Sequence, residues 1–169
     1  LKSEKEMRAI RGKEIGMIFQ DPMTSLNPTM KIGKQISETL CWHQSVTKKE
    51  AIKKSISLLR SAGIADPEIR IEHYPYQLSG GMRQRVMIAM ALACDPKILI
   101  ADEPTSALDV TIQAQILTLL KEIRQKRNIT ILLITHELDL VAEFCERALI
   151  MQHGKIVESG SVDNLYNNP

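Results

Sequence analysis

Two adjacent carboxylates, Asp102 and Glu103, end the apolar run Ile98-Leu99-Ile100-Ala101 and open the loop Pro104-Thr105-Ser106-Ala107-Leu108-Asp109. A protein core does not hold two unpaired charges, so the pair belongs at the C-terminal mouth of a buried strand. In a phosphate-handling site the first carboxylate holds Mg²⁺ and the second orients or deprotonates water. Taken alone, the pair reads more simply as a strand ending in a charged turn. A second stretch changes that balance. Leu78-Ser79-Gly80-Gly81-Met82-Arg83-Gln84-Arg85 runs into the helical apolar pattern Val86, Ile88, Ala89, Met90, Leu92 and Ala93. A Ser-Gly-Gly turn that opens a helix leaves backbone N–H groups free and unshielded. Such a helix end attracts anions through those donors and its dipole.

The elements that must carry these residues follow from the pattern of the chain. Leu1 to Gly12 is charged and reads as a frayed segment or loop. Ile15 to Phe19 is a short strand, and the Pro-, Asn- and Ser-rich stretch Asp21 to Pro28 a loop. Ile32, Ile36 and Leu40 repeat at helical spacing. Thr47-Lys48-Lys49-Glu50 is a capping box for a helix that buries Ile52, Ile56 and Leu59 and stops at Gly63. Asp66-Pro67 starts a shorter turn, so Lys31 to Gln77 is a helical insert.

Beyond the insert, strand and helix alternate. Lys97 to Ala101 and Ile129 to Ile134 read as strands. Asp109 caps a helix carrying Ile112, Ile116, Leu119 and Ile123, and Leu138, Val141 and Cys145 mark another. Ala148 to Met151 and Lys155 to Val157 flank a tight His153-Gly154 turn, and Ser161 caps a last short helix. This alternation predicts an α/β fold with a layered, mostly parallel sheet.

Composition bounds the function. The 169 residues are 44% hydrophobic and carry a net charge of +2, which gives no general case for nucleic-acid or membrane binding. No apolar run nears the ~18 residues needed to cross a bilayer, so any membrane association runs through a partner. Cys41, Cys94 and Cys145 lack metal-site spacing and read as reduced packing residues.

Together these segments resemble the ATP-binding cassette (ABC) ATPases. LSGGMRQR is similar to that family's signature motif, and ILIADEPTSALD to its Walker B segment and D-loop. Ile18-Phe19-Gln20-Asp21-Pro22 resembles the Q-loop, and Ile134-Thr135-His136-Glu137 the switch histidine. MTSLNP and YPYQLSGGMRQRV resemble, more narrowly, the ATPases of oligopeptide, dipeptide and nickel importers. The resemblance implies a P-loop NTPase (RecA-like) core with an inserted helical subdomain. It divides the chain into a partial core (1–30), the helical subdomain (31–78) and the signature helix with the rest of the core (79–169). The family's phosphate loop, G-x-x-x-x-G-K-[ST], does not occur in the chain. The resemblance therefore implies a piece of a longer ATPase, without the phosphate-loop strand and helix and inactive alone. It further implies exposed apolar positions on Ile131 to Ile134 and Ala148 to Met151.

The resemblance also implies roles. Asp102 holds Mg²⁺, Glu103 activates water, and Gln20 reaches both metal and water. His136 contacts the γ-phosphate. Ser79, Gly80, Gly81 and Gln84 touch ATP bound on a facing subunit, and Asp109 organises the seam between subunits. Arg83 and Arg85 read as surface or seam charges, and His43, His73 and His153 as structural. The implied cofactors are ATP and Mg²⁺. The implied partners are a second ATPase subunit, transmembrane permease subunits and, indirectly, a solute-binding protein, at the cytoplasmic face of the membrane, without nucleic acid. The rivals are a transporter-free ABC ATPase of DNA repair or translation, and a non-catalytic interaction fragment.

Overall fold

A capped helix stands where charge suggested a frayed segment or loop. The Ser3 hydroxyl accepts from the Glu6 N–H, and Glu6 accepts in return from the Ser3 N–H, which starts α1 (Glu4–Ile10). The Ser-x-x-Glu signature of that box outweighs the charge of the segment. The computed structural model describes residues 3–106 and 108–167. Leu1, Lys2 and Ala107, named in the sequence readings, lie outside the described residues, as do the last two residues. The chain forms two compact units, one ending at Leu132 and the other starting at Leu133.

In the first unit, β1 (Ile15–Ile18) is followed by one helical turn, α2 (Pro22–Ser25), within the stretch read as loop. Asp21 Oδ1 accepts from the Met23 N–H at 2.7 Å. Pro22 occupies the first helical position, where no N–H is needed, so Asp-Pro here begins a helix. α3 (Ile32–Gln44) buries Ile32, Ile36 and Leu40 as the spacing predicts. α4 (Lys48–Ser61) starts at the expected Thr47–Glu50 box. Its buried face is Ala51, Ser55 and Leu59, while Ile52 and Ile56 are only half-buried. The helix sits one residue round from the prediction because its smallest residues make the close contact, and Ser55 bonds back to the Ala51 carbonyl at 2.7 Å. α4 ends in a Schellman arrangement. Gly63, at φ +75°, donates to the Arg60 carbonyl, and Ile64 donates to that of Leu59. α5 (Pro67–Arg70) and a 3₁₀ turn (Pro75–Gln77) lead to α6 (Gly80–Ala91).

β2 (Ile98–Asp102), α7 (Val110–Arg127) and β3 (Thr130–Ile134) follow. The sheet order is β1-β2-β3. β1 and β2 pair in parallel, from Ile15 opposite Ile98 to Ile18 opposite Ala101. This register brings Gln20, just past β1, level with the end of β2. α6 packs against β1, α3, α4 and α7, and Val86, Ile88 and Ala89 are almost wholly buried. The expected helical insert thus shares the core of the sheet through α6. The division between the two compact units falls inside β3.

The second unit holds α8 (Leu138–Phe144), β4 (Arg147–Gln152), β5 (Lys155–Ser161) and α9 (Val162–Asn167). β4 and β5 form the expected antiparallel hairpin. Its His153-Gly154 turn has both φ angles positive, as a type I′ turn requires. α8 stands where Leu138, Val141 and Cys145 mark a helix; it buries Leu140 and Phe144 and exposes Leu138. Leu149 and Met151 are exposed, as are Leu132 and Ile134 on β3, in line with the expectation for both segments. No helix among the described residues is long and apolar enough to cross a membrane.

Two measurements check this packing. A Cβ added to Gly16 would stand 2.4 Å from the Ala91 carbonyl, so only glycine lets β1 approach the end of α6. Gly16→Ala is expected to lower unfolding free energy by ~1–3 kcal/mol, read from the urea midpoint. The second concerns Glu50, whose carboxyl is held below its usual range by bonds from the Thr47 hydroxyl and backbone N–H. A lowered folded pKa contributes stability above the ordinary glutamate value and loses it as pH falls through the lowered one. Amide protection factors in the first turn of α4, taken relative to the intrinsic exchange rate at each pH, are therefore expected to fall with acidification, and Glu50→Gln to flatten that dependence.

Candidate functional site

The sheet delivers three sequence-predicted residues to one place. Asp102 is the last residue of β2 and half-buried. Glu103 leaves the strand with φ +42°, a left-handed conformation uncommon for a non-glycine residue. Gln20, from the loop after β1, donates its Nε2 to Glu103 Oε2 at 2.8 Å. The turn is closed by Ser106, whose N–H and hydroxyl both donate to the Glu103 carbonyl, at 3.3 and 3.2 Å. A residue held in a sparsely populated conformation persists only where its surroundings fix it, and such residues cluster at functional sites.

Asp102 has no hydrogen-bonded or ion-paired side-chain partner among the described residues, and its carboxylate can only accept. A half-buried carboxylate beside a second one suits a hard cation. Mg²⁺ is commonly held by one or two carboxylates, with water and substrate phosphate completing its shell. Asp102 therefore fits Mg²⁺. The chain's fit to ATP is partial, because the G-x-x-x-x-G-K-[ST] cradle is not in its sequence.

The start of α6 supplies the anion-attracting end. The Ser79 hydroxyl caps the helix, accepting from the Met82 N–H at 3.3 Å. Ser79 and Gly80 are exposed, and the first N–H groups of the helix have no intrahelical acceptor. Gly81 also serves packing, since a Cβ there would lie 2.8 Å from Ile112 of α7.

Three neighbours on α6 bond within the chain. Gln84 was expected to face a nucleotide with Ser79. It is 1% exposed and donates Nε2 to the Pro104 carbonyl at 2.5 Å. Arg83 and Arg85, read as surface or seam charges, are half-buried and bridge segments. Arg83 donates Nε to the Pro75 carbonyl at 2.8 Å and also contacts Met23 Sδ of α2. Arg85 donates to the Ala62 carbonyl at 2.9 Å and to Gln115 Oε1 of α7 at 3.2 Å. The physical reason is common to all three. α6 is packed on several sides, so its polar side chains must find partners inside the chain.

Asp109 uses Oδ1 to cap α7, accepting from the Ile112 N–H at 3.0 Å. His136 is exposed and follows β3 in the second unit. Sequence reasoning missed Gln35, a buried amide that accepts from the Asn27 N–H and donates to the Asn27 and Met30 carbonyls. It fixes the loop after α2, and its placement between Ile32 and Ile36 on the buried face was the available signal. The three cysteines are free thiols, and burial pushes the Cys94 thiol up from its ordinary pKa.

Comparison with known proteins places the chain among recognised relatives. Residues 2–106 match the family model described as ABC transporter. The chain is 59% identical over 167 residues to the oligopeptide transport ATP-binding protein OppD of Bacillus subtilis (strain 168), covering 99% of this chain and 47% of that protein. It is 55% identical to the dipeptide transport ATP-binding protein DppD of the same organism, covering 99% of this chain and 50% of that one. The chain thus spans about half the length of the curated relatives it matches. Among solved structures, the ATP-binding cassette MJ0796, dimeric with ADP and Pi in a post-hydrolysis state, superposes with a TM-score of 0.82 at 30% identity. That match covers 95% of this chain and 68% of that one.

The capping geometry at Asp109 separates a structural from a chemical role. Asp109→Ala is expected to cost ~1 kcal/mol of stability in a denaturant titration, and Asp109→Asn close to nothing, because the asparagine oxygen caps equally well.

Proposed function

Since the chain belongs to the ABC transporter family, we propose that it is part of the ATP-hydrolysing subunit of an importer for oligopeptides or dipeptides. The observation that carries this proposal is the Gln20–Glu103 contact at the end of β2. It ties the loop after one strand to the acidic end of its neighbour, beside the cation-ready Asp102. The names of the relatives support the peptide substrate, and the dimeric MJ0796 structure supports pairing of two ATPase subunits.

The chain's own residues divide the work. Asp102 would hold Mg²⁺, which when bound offsets charge on the transferring phosphoryl group. Glu103 takes the proton of the attacking water at its carboxylate, and Gln20 keeps that carboxylate oriented through Oε2. Ser79, Gly80 and Gly81 offer a hydroxyl and helix-start N–H groups to phosphate oxygens of ATP on the facing subunit. His136 would contact the γ-phosphate, and Asp109 would stand at the seam between subunits. The segment from Gln20 through α3 would meet transmembrane permease subunits at the cytoplasmic face of the membrane, with a solute-binding protein upstream. Turnover belongs to a complete subunit that contains a phosphate loop; residues 1–169 alone would be idle.

In that complete subunit, Glu103→Gln is expected to lower ATP turnover at least ~100-fold while leaving ATP binding nearly unchanged. Single-turnover hydrolysis and equilibrium binding of labelled ATP read the two effects. Unchanged turnover in the variant would overturn the role of Glu103.

A further inference from the structure

We infer that Gln84 is a positioning residue that holds the water-activating Glu103 in place through the Pro104 carbonyl, linking the start of α6 to the acidic end of β2. The inference rests on the ATPase function proposed above and adds a residue whose role lies inside its own chain. Gln84 is one of few polar side chains buried among the described residues, with 1% of its surface exposed. Its Nε2 donates to the Pro104 oxygen at 2.5 Å. Pro104 is itself buried and follows directly on Glu103, whose φ of +42° needs support from its surroundings.

Three contacts give that support. Gln20 holds the Glu103 side chain, Ser106 holds the Glu103 carbonyl, and Gln84 holds the next carbonyl along. The first two come from exposed positions. The third comes from the buried interior, and it comes from a helix whose first turn carries Ser79 and Gly80. Gln84 lies five residues beyond Ser79, a rise of ~7.5 Å along the helix. A rigid helix of this length moves as a unit, so displacement of its N-terminus on meeting an anion would shift the Gln84 amide. The Pro104 carbonyl, and with it Glu103, would follow. A misplacement of ~1 Å at a reacting group can cost 10²-fold in rate.

The test uses the complete subunit. Gln84→Met keeps the length and volume of the side chain and removes only its polar atoms. It is expected to lower kcat at least ~10-fold while KM for ATP stays within about twofold, the pattern of a group that acts on the chemical step. Combined with Glu103→Gln, it is expected to add less than about twofold, because both changes disable one unit. A second readout is independent of turnover: the NMR resonance of the Gln20 side-chain amide. In Gln84→Met it is expected to move toward its position in Glu103→Ala. If the wild type shows no turnover, the ATPase proposal fails, and the Gln20 resonance still decides the role of Gln84. If Gln84→Met does not fold, Gln84→Asn decides by the same readouts, since its amide is one methylene too short to reach Pro104. Wild-type kcat with an unmoved Gln20 resonance in either folded variant would overturn the inference. A loss carried by KM alone, or one fully additive with Glu103→Gln, would also overturn it.

Discussion

Burial of α6 is the constraint on which the arrangement around the carboxylates depends. The helix takes β1 against its end, the insert helices α3 and α4 along its length, and α7 across its first turn. Its apolar residues supply the driving force, since each large side chain fully removed from water contributes roughly 1.5–3 kcal/mol. The same burial leaves Arg83, Gln84 and Arg85 short of water. A buried polar group without a partner costs about as much as one of those apolar side chains gains, so each must find an acceptor. The acceptors are the carbonyls of Pro75, Pro104 and Ala62, on three separate segments. Hydrophobic burial thus fixes the helix, and the polar residues it carries inward fix the loops around it.

This explains how an acidic pair can end a buried strand. Leu99 and Ala101 are wholly buried, and the chain must leave that environment within one or two residues. The left-handed turn at Glu103 makes the exit abrupt, and Pro104, which has no N–H in need of an acceptor, continues it. Hydrogen bonds from Gln20, Ser106 and Gln84 converge on two consecutive residues. Glu103 therefore stays ordered at the edge of the core instead of relaxing into solvent. Such preorganisation suits the role proposed for Glu103.

The helices of the insert play a supporting part. The Gly63 cap of α4 lies against Arg85, close enough that a Cβ there would stand 2.5 Å from its Nη1. Arg85 then reaches Gln115 on α7, the helix that Asp109 caps. The end of α4 and the second turn of α7 are joined through one guanidinium, whose several fixed donors suit it to bridging. The order of elements along the chain gives no hint of this connection.

Much of the chain was legible before folding. Strand and helix alternation, the Thr47 box, the His153-Gly154 turn and the cap at Asp109 all depend on neighbours within a few residues, and local chemistry settles them. Asp102, Glu103, Ser79 and Gly81 could be singled out as candidates from residue type and spacing, and Gln20 from the resemblance of its loop to a known motif. The Ser3 box and the Asp21-Pro22 helix start were equally local, and charge and loop-like composition obscured them. The contact of Gln20 with Glu103, the inward turn of Gln84, the bridges of Arg83 and Arg85 and the rotation of α4 onto Ala51 and Ser55 could be decided only by the tertiary structure. Each depends on which surfaces a packed helix or a parallel strand brings together across tens of residues. A polar residue at a helical position is equally ready to face water or a buried carbonyl, and only the neighbour that packing supplies decides between them.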